Sequence, residues 1–396
     1  MSPTIIEKLL NGAEVEWKPL GEIVKIKTGA LINKNTIQNN PGVYPVINSG
    51  KEPLGYIKYW NTECDPIGIT TRGAGVGSVT WQEGRYFRGN LNYSVTIKDN
   101  KKLLVRYLFY SLTSQQKDIQ NLATYSGIPA LNAAELKKLR VPVPPLSVQK
   151  EIVRILDAFT AHTAELTAEL TAELNERKKQ YNYYRDKLLT FSDEEVEWKT
   201  LGDIGEVRMC KRILKHQTSE NGDVPFYKIG TFGKRPDAYI SRELFNDYKK
   251  KYNYPKIGEV LISASGTIGR TVIFDGSDAY FQDSNIVWIE NDESQVLNKY
   301  LFYYYKIAKW GASEGGTIAR LYNDNLRKVA IPIPTLAEQQ RIVDILDKFD
   351  ALTTSITQGL PREIELRQKQ YEYYRDQLLN FPKPENDAIK HNSTNR

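Results

Sequence analysis

At 396 residues, with 40% hydrophobic and 26% charged side chains, the chain is long enough for two or more domains with real cores, and its composition is ordinary for a soluble protein. The net charge of +6 favours a polyanionic partner without requiring one. Cys64 and Cys210 stand in unrelated contexts, too few for a disulfide framework or a metal cluster. There is no run of 18 apolar residues and no basic start followed by an apolar core, so neither a membrane span nor secretion is expected, and a reducing cytoplasm is the simplest setting.

Taken in chain order, the sequence says the same thing twice. EVEWKPLGEI at residues 14–23 returns as VEWKTLGDI from Val196, matching Trp17 to Trp198 at an offset of 181. From Trp17 to about Pro145 the chain is rich in Gly, Asn, Tyr and β-branched residues. It reads as short strands and exposed turns, with SVTI at Ser94 to Ile97 a strand and local helices near Leu103 to Leu112 and Ala133 to Leu139. An apolar-Pro-apolar-Pro stop then ends this mixed α and β stretch, and a helix can begin cleanly after it.

That helix is long. No Pro or Gly interrupts Ser147 to Phe191, which gives roughly 65 Å at 1.5 Å per residue. Ile152, Ile155, Leu156, Phe159, Leu166, Leu170, Leu174, Tyr181, Tyr184 and Leu188 recur mostly at spacings of three and four, the pattern of a coiled-coil seam. Within it TAELTAELTAEL, Thr163 to Leu174, is three copies of a four-residue unit made of good helix formers. One such unit lengthens a helix by about 6 Å and turns it by about 40°. One base pair of B-DNA advances about 3.4 Å and turns by about 34 to 36°, so a four-residue step is nearly phase-matched to one base pair for an inclined helix.

The second half repeats the plan. YLFYYY (Tyr300 to Tyr305) matches YLFYSL (Tyr107 to Leu112), and IPIPTLAEQQRIVDILDKF (Ile331 to Phe349) matches VPVPPLSVQKEIVRILDAF (Val141 to Phe159). QYEYYRDQLLNF (Gln370 to Phe381) matches QYNYYRDKLLTF (Gln180 to Phe191), and the offset in both of these longer motifs is 190. A period of this size is one domain plus a helix, far too long for a solenoid unit. The rise from 181 to 190 places nine net extra residues in the second copy, between the Trp and Pro motifs, where the two copies also diverge most. The second long helix, Leu336 to Phe381, carries GLPRE at Gly359 to Glu363, and Pro361 is expected to kink or break it. Two matched helices on a pseudo-twofold chain are expected to pack antiparallel, with the variable domains at opposite ends.

Similar frames holding different inserts suit a protein that presents two recognition surfaces in one geometry. The Trp motifs, the P.P..L..Q..IV.ILD.F helix starts, the TAEL repeats and the QY.YYRD.LL.F helix ends together resemble the specificity subunit of a type I restriction-modification system, closest to the TAEL-repeat (type IC-like) subfamily. The resemblance covers nearly the whole chain. It implies an α+β fold of two mixed α/β target-recognition domains, residues 1–146 and 192–335, separated by two long antiparallel coiled-coil helices at 147–191 and 336–381, with a polar tail at 382–396. It implies a bipartite double-stranded DNA site with a spacer of about seven base pairs. It also implies two docked methyltransferase (modification) subunits for adenine-N6 methylation, and restriction/translocase subunits for ATP-dependent cleavage. The chain itself would be non-catalytic and without membrane contact, with S-adenosylmethionine, ATP and Mg held by partners.

The residues agree with that absence of catalysis. No Asn/Asp-Pro-Pro-aromatic tetrapeptide and no GxxxxGK[ST] loop exists, which argues against a single-chain methyltransferase or nuclease. GAGVG (Gly73 to Gly77) and SGTIG (Ser265 to Gly269) fall at equivalent places and read as turns or close approaches rather than cofactor loops. His162, His216 and His391 have no ligand-spaced companions.

Base edges are read by long side chains with paired donors and acceptors, and phosphates by cations. Candidate DNA-binding residues are Lys34, Asn35, Asn48, Lys51, Arg72, Arg85, Arg88, Asn90 and Asn92 in the first copy. In the second they are Arg208, Lys211, Arg212, Lys228, Lys234, Arg235, Arg270, Gln282, Asn285 and Arg320. Arg72 and Arg270 adjoin the Gly-rich turns, where backbone can come close to phosphate. Lys249 to Lys251 read as phosphate attraction or a solvated loop. Tyr181, Tyr184, Tyr371 and Tyr374, with Tyr183 and Tyr373 between them, are open to either coiled-coil packing or partner docking. The competing functional class is an orphan specificity subunit or DNA-binding scaffold without associated restriction.

Overall fold

The computed structural model describes residues 4–50, 52–311, 320–354 and 359–382. The chain forms two compact units, one of residues 1–169 with 364–396 and one of residues 170–363. It is mixed α/β, and each unit carries its own sheets and its own share of the long helices.

Unit 1 opens with a short helix, Ile5–Leu10, started by a capping box in which Thr4 and Glu7 each satisfy the other's backbone N–H. Its main sheet has the order Val24–Thr28, Asn92–Ile97, Ile67–Thr70, Val79–Trp81, all antiparallel. Val24–Thr28 shows the alternation of a half-covered strand, with Val24 buried and Lys25 and Lys27 exposed, whereas Ile67–Thr70 is buried throughout. A three-stranded sheet joins Tyr56–Ile57, Pro41–Ile47 and Phe87–Arg88, the last pair parallel. The Trp17 motif, Glu16–Pro19, pairs antiparallel with the Pro motif, Arg140–Val143, so the two ends of the variable stretch form one ribbon.

Unit 2 repeats each of these sheets. Val207–Arg208, Ile286–Ile289, Val260–Ser263 and Thr271–Ile273 form the four-stranded sheet, and Tyr239–Ile240, Val224–Tyr227 and Tyr280–Phe281 the three-stranded one, again with a parallel pair. Glu197–Thr200 closes on Ala330–Ile333. Divergent inserts have kept one topology.

The strand registers locate the extra residues. Ile57 pairs with Tyr44 as Ile240 pairs with Val224, and the next strands begin at Ile67 and Val260. The connection is nine residues in unit 1 and nineteen in unit 2, where it holds the helix Arg242–Lys251. Phe245 of this helix is 1% exposed and belongs to a core of aromatic side chains with Tyr280 and Phe281; the matching core of unit 1 is small, built on Val46, Ile57 and Phe87. Lys249, Lys250 and Lys251 form the last turn of this helix, which corrects the reading of a solvated loop; cations there complement the helix dipole.

The long helix runs Leu146–Leu188, 43 residues, or about 65 Å. In unit 1 its first half packs antiparallel against the end of Gly359–Leu379: Phe159 stacks on Tyr374 (5.8 Å, 28°), and the Thr160 hydroxyl donates to the Tyr371 hydroxyl (3.1 Å). In unit 2 the mirror contact forms, with Tyr184 stacked on Phe349 (5.7 Å, 24°). Each unit therefore joins the helix start of one copy to the helix end of the other. Leu378, Leu379 and Phe381 enter the unit 1 core as Leu189 enters that of unit 2, and the Trp17 indole donates to the Pro382 carbonyl (2.8 Å). Of the expected seam, Ile152 and Leu156 are buried, while Leu166, Leu170 and Leu174 are half-buried. The second long helix is described as Leu336–Thr354 and Gly359–Leu379; Pro361 lies in the first turn of the latter, where its missing N–H breaks no helical bond.

Candidate nucleic-acid interface

Each sheet domain is fastened to its helix by the same three-way side-chain clamp. Gln149 is fully buried; its carbonyl accepts from the Leu104 N–H (2.9 Å), and its amide donates to the Lys102 (2.9 Å) and Pro144 (2.8 Å) carbonyls. Gln339 repeats all three bonds with Leu297 N–H (2.8 Å), Gln295 O (2.9 Å) and Pro334 O (2.8 Å). Beside each clamp, Tyr107 donates to Pro142 O (2.9 Å) and Tyr300 to Pro332 O (3.2 Å). A charged joint adds to this: Arg106 and Tyr110 converge on Asp157 (2.8 and 2.6 Å), as Lys299 and Tyr303 converge on Asp347 (2.5 Å each). A buried Gln side chain that satisfies three backbone groups ties the sheet domain to its helix.

Beyond the clamps the units differ. In unit 2 a cavity of about 580 Å³ is lined by Arg212, Lys215, Lys228, Gln282, Asn285 and Arg320, with Asp283 the one acidic lining residue. Arg212 and Lys215 have no carboxylate partner among the described residues, and Lys228 pairs with Asp237 at 2.8 Å. Gln282 is oriented by the Ile229 N–H (2.9 Å) and Asn285 by the Ser265 hydroxyl (2.8 Å), which leaves the amide nitrogens of both without a partner among the described residues. The Arg320 guanidinium lies 5.8 Å from the Tyr322 ring centroid. Cations and amides around one concavity match what phosphates and base edges require.

The two Gly-rich segments are hairpin turns. Gly77 and Gly269 both take positive φ (77° and 80°) and donate N–H back to the preceding strand, at Thr70 (2.8 Å) and Ser263 (3.0 Å). Neither opens a helix. Across the next bridge the copies exchange chemistry: Arg72 faces Ala130 in unit 1, and Ser265 faces Arg320 in unit 2.

The family profile of the type I restriction modification DNA specificity domain matches residues 13–176 and 193–366, one match to each copy and most of the chain. The chain belongs to this family. A Haemophilus influenzae protein described as a type I restriction enzyme specificity subunit is 55% identical over 385 residues, covering 96% of this chain and 98% of the relative. The Escherichia coli EcoR124I/EcoR124II specificity subunit is 37% identical over 414 residues, at 96% and 98% coverage. A solved structure titled for complex assembly and conformational transition of the type I R-M system aligns over 93% of this chain and 98% of its own, with a TM-score of 0.65 at 15% identity, a shared fold. This specificity subunit is thus a DNA-recognition component of a restriction-modification system and not its catalytic part.

Several candidate readers of the specificity subunit prove to be inside it. Arg88 is 3% exposed and donates to Asn92 Oδ1 (2.6 Å), Tyr93 O (3.1 Å), Asp65 O (2.7 Å) and the Tyr86 hydroxyl; Asn92 is fully buried. Burial holds the Arg88 guanidinium below its usual range and pushes the Tyr86 phenol up to about 12. Asn48 is 8% exposed, its carbonyl accepting from the Leu91 N–H (2.9 Å). These three staple strands together and cannot reach a base edge from where they sit, which corrects their assignment as readers. Arg270 is half-buried and donates to Phe232 O (3.1 Å), Arg208 pairs with Glu290 (2.8 Å), and Arg85 pairs with Glu63 (2.8 Å) while lying 4.4 Å over the Trp60 ring. Lys211 lies 5.1 Å over the Tyr252 ring. Lys34, Asn35, Arg72, Lys234 and Arg235 are exposed, Asn90 is half-buried, and Lys51 lies outside the described residues.

Lys215, Asp283 and Ser284 were not anticipated; Ser284, at φ 59°, turns the chain so that Asp283 and Asn285 both face the cavity. Of the tyrosines, Tyr181 is buried and accepts from Lys306 (3.1 Å), and Tyr371 is half-buried against Thr160, so both are occupied in packing. Tyr183 and Tyr373 are the most exposed members, at 61% and 60%, and Tyr184 and Tyr374 are exposed beside them at 42% and 37%. Among the described residues no helix is long and apolar enough to cross a membrane, and no cluster of His, Cys, Asp or Glu suits a metal.

Proposed function

We propose that this chain recognises a bipartite double-stranded DNA site, each sheet domain reading one half-site, and that it docks two modification subunits for adenine-N6 methylation and restriction subunits for ATP-dependent cleavage. The observation that supports this best is the duplicated clamp: identical joints at Gln149 and Gln339 carry two surfaces of different chemistry. S-adenosylmethionine, ATP and Mg belong to the partners in this reading. Domain boundaries follow the motifs, with recognition domains at 1–146 and 192–335 and helices at 147–191 and 336–381. Exposed Lys34, Arg72, Arg212, Lys215 and Arg320 contact DNA, and Tyr184 and Tyr374, exposed on equivalent helix ends with Tyr183 and Tyr373 beside them, are the docking positions.

The three TAEL units set an unread spacer of about seven base pairs, since one unit advances the helix by about 6 Å and 40° against a base pair's 34 to 36° turn. Exchanging the insert between Ile23 and Pro142 for that of a relative tests independent reading. One half-site changes and the other stays if the proposal holds; a change in both contradicts it.

A further inference from the structure

Positions that line the unit 2 cavity can be matched to positions in unit 1 by backbone pairing, despite divergent sequence. Ile26 pairs with Val95 as Val207 pairs with Ile289, and five and six residues after Ile26 and Val207 come Leu31 with buried Ile32, and Arg212 with buried Ile213. Leu91 O accepts from Thr71 N as Asn285 O accepts from Ala264 N. The bridges Arg72 to Ala130 and Ser265 to Arg320 align Ala130 with Arg320. Gly89 N donates to Ile47 O as Gln282 N donates to Tyr227 O, which aligns Gly89 with Gln282.

Four polar cavity positions of unit 2, Arg212, Gln282, Asn285 and Arg320, are therefore Leu31, Gly89, Leu91 and Ala130 in unit 1. Leu31 is 80% exposed, the most exposed of the large apolar side chains described. Gly89 is buried and Leu91 and Ala130 are half-buried, so Leu31 is the exposed group of these four; the same register keeps Lys34 at the place of Lys215 and Asn48 at that of Lys228.

We infer that the two domains read opposite base chemistry at this shared position. Unit 1 reads an A·T pair through Leu31 against a thymine C5-methyl in the major groove, and unit 2 reads a G·C pair through Arg212 or Arg320 on guanine O6 and N7. The inference rests on the DNA-reading function proposed above and adds to it the base class and the residues. Leu31 makes no hydrogen bond to a base, so its contribution is the burial of a methyl against a methyl. An Arg in its place would present donors to a carbonyl or ring nitrogen and change which base is preferred.

The test uses the complex with its modification subunit and duplexes of the mapped motif. Each thymine of the first half-site is replaced in turn by deoxyuridine, which lacks only the methyl, and affinity is measured for the wild-type chain and for Leu31→Ala. At one position the wild-type complex should lose about fourfold, the worth of one buried methyl, and Leu31→Ala should be indifferent. In the second half-site, 7-deazaguanine should cost the wild-type complex about tenfold, and that loss should vanish in Arg212→Ala or Arg320→Ala. Indifference of the wild-type complex to every deoxyuridine overturns the inference and leaves the two-half-site reading standing. A Leu31→Ala variant that keeps its methyl discrimination but assembles poorly with the modification subunit also overturns it, assigning Leu31 to a subunit contact. Absence of any sequence-selective binding by the wild-type complex removes both.

Discussion

Replacing Gln149 with Ala should loosen one sheet domain from its helix without touching the other. The substitution leaves the Leu104 N–H and the Lys102 and Pro144 carbonyls without their partner in a site where Gln149 itself is fully buried. An unpaired buried N–H costs about 1–3 kcal/mol, and the two carbonyls and the vacated space add to it, so a local loss of about 3–5 kcal/mol is expected. Gln149→Leu restores volume but none of the three bonds, and should recover only the smaller, cavity part. Hydrogen exchange followed by mass spectrometry is the suitable assay, because the two units need not unfold together and a single global free energy is then ill defined. Exchange of the Leu104 amide should accelerate by at least about 100-fold in Gln149→Ala, the equivalent of about 3 kcal/mol, while the Leu297 amide keeps its wild-type rate. Gln339→Ala should do the converse. Equal protection of both amides in both variants would show that the clamp is not what holds the joint.

Three further outcomes follow from the same structure. Arg88→Met, which removes a buried guanidinium and its donors to Asn92, Tyr93, Asp65 and Tyr86, should destabilise unit 1 by about 3 kcal/mol in urea unfolding and leave the recognised DNA sequence of any surviving complex unchanged. Glu259 is 2% exposed, and burial raises its pKa, so the folded state binds its proton more tightly; stability from this group is present below the ordinary carboxyl range and is lost as pH rises through the raised value. Glu259→Gln keeps an acceptor for the Lys256 N–H and should gain on the wild type in thermal unfolding at pH 8 relative to pH 4.5, whereas a pH-independent difference would rule the titration out. Cys64 is exposed, while Cys210 is 2% exposed with its thiol pushed up to about 12 by burial, so a thiol reagent at pH 8 should label one cysteine rapidly and the second only on unfolding.

The frame was legible in the sequence because it is written twice. The Trp and Pro motifs pair as one ribbon, the helix starts and ends stack as Phe159 on Tyr374 and Tyr184 on Phe349, and the Gly segments are turns. The shared sheet topology inside the inserts was not legible, because its short strands depend on partners far away in sequence: Phe87–Arg88 pairs with Pro41–Ile47, and Tyr280–Phe281 with Val224–Tyr227. The helix Arg242–Lys251 was missed because RELFNDYKKK is short and dominated by charge; its apolar stripe is little more than Leu244, Phe245 and Tyr248. Candidate readers were chosen by side-chain type, and type does not report burial. Arg88 and Asn92 have the chemistry of base readers but the position of a core network, and the exposed leucine at position 31, which that chemistry would never select, stands where Arg212 stands in the other copy. Gln149 and Gln339 were visible as one letter of a repeated motif; that each ties three backbone groups required the folded chain.

The most direct measurement is a genome-wide map of N6-methyladenine in a methylation-free host that co-expresses this chain with its modification subunit. Two half-sites about seven base pairs apart, each with one modified adenine, are the predicted result. A stable purified complex that leaves the genome unmethylated, or marks a single undivided motif, would contradict recognition by two independently furnished domains.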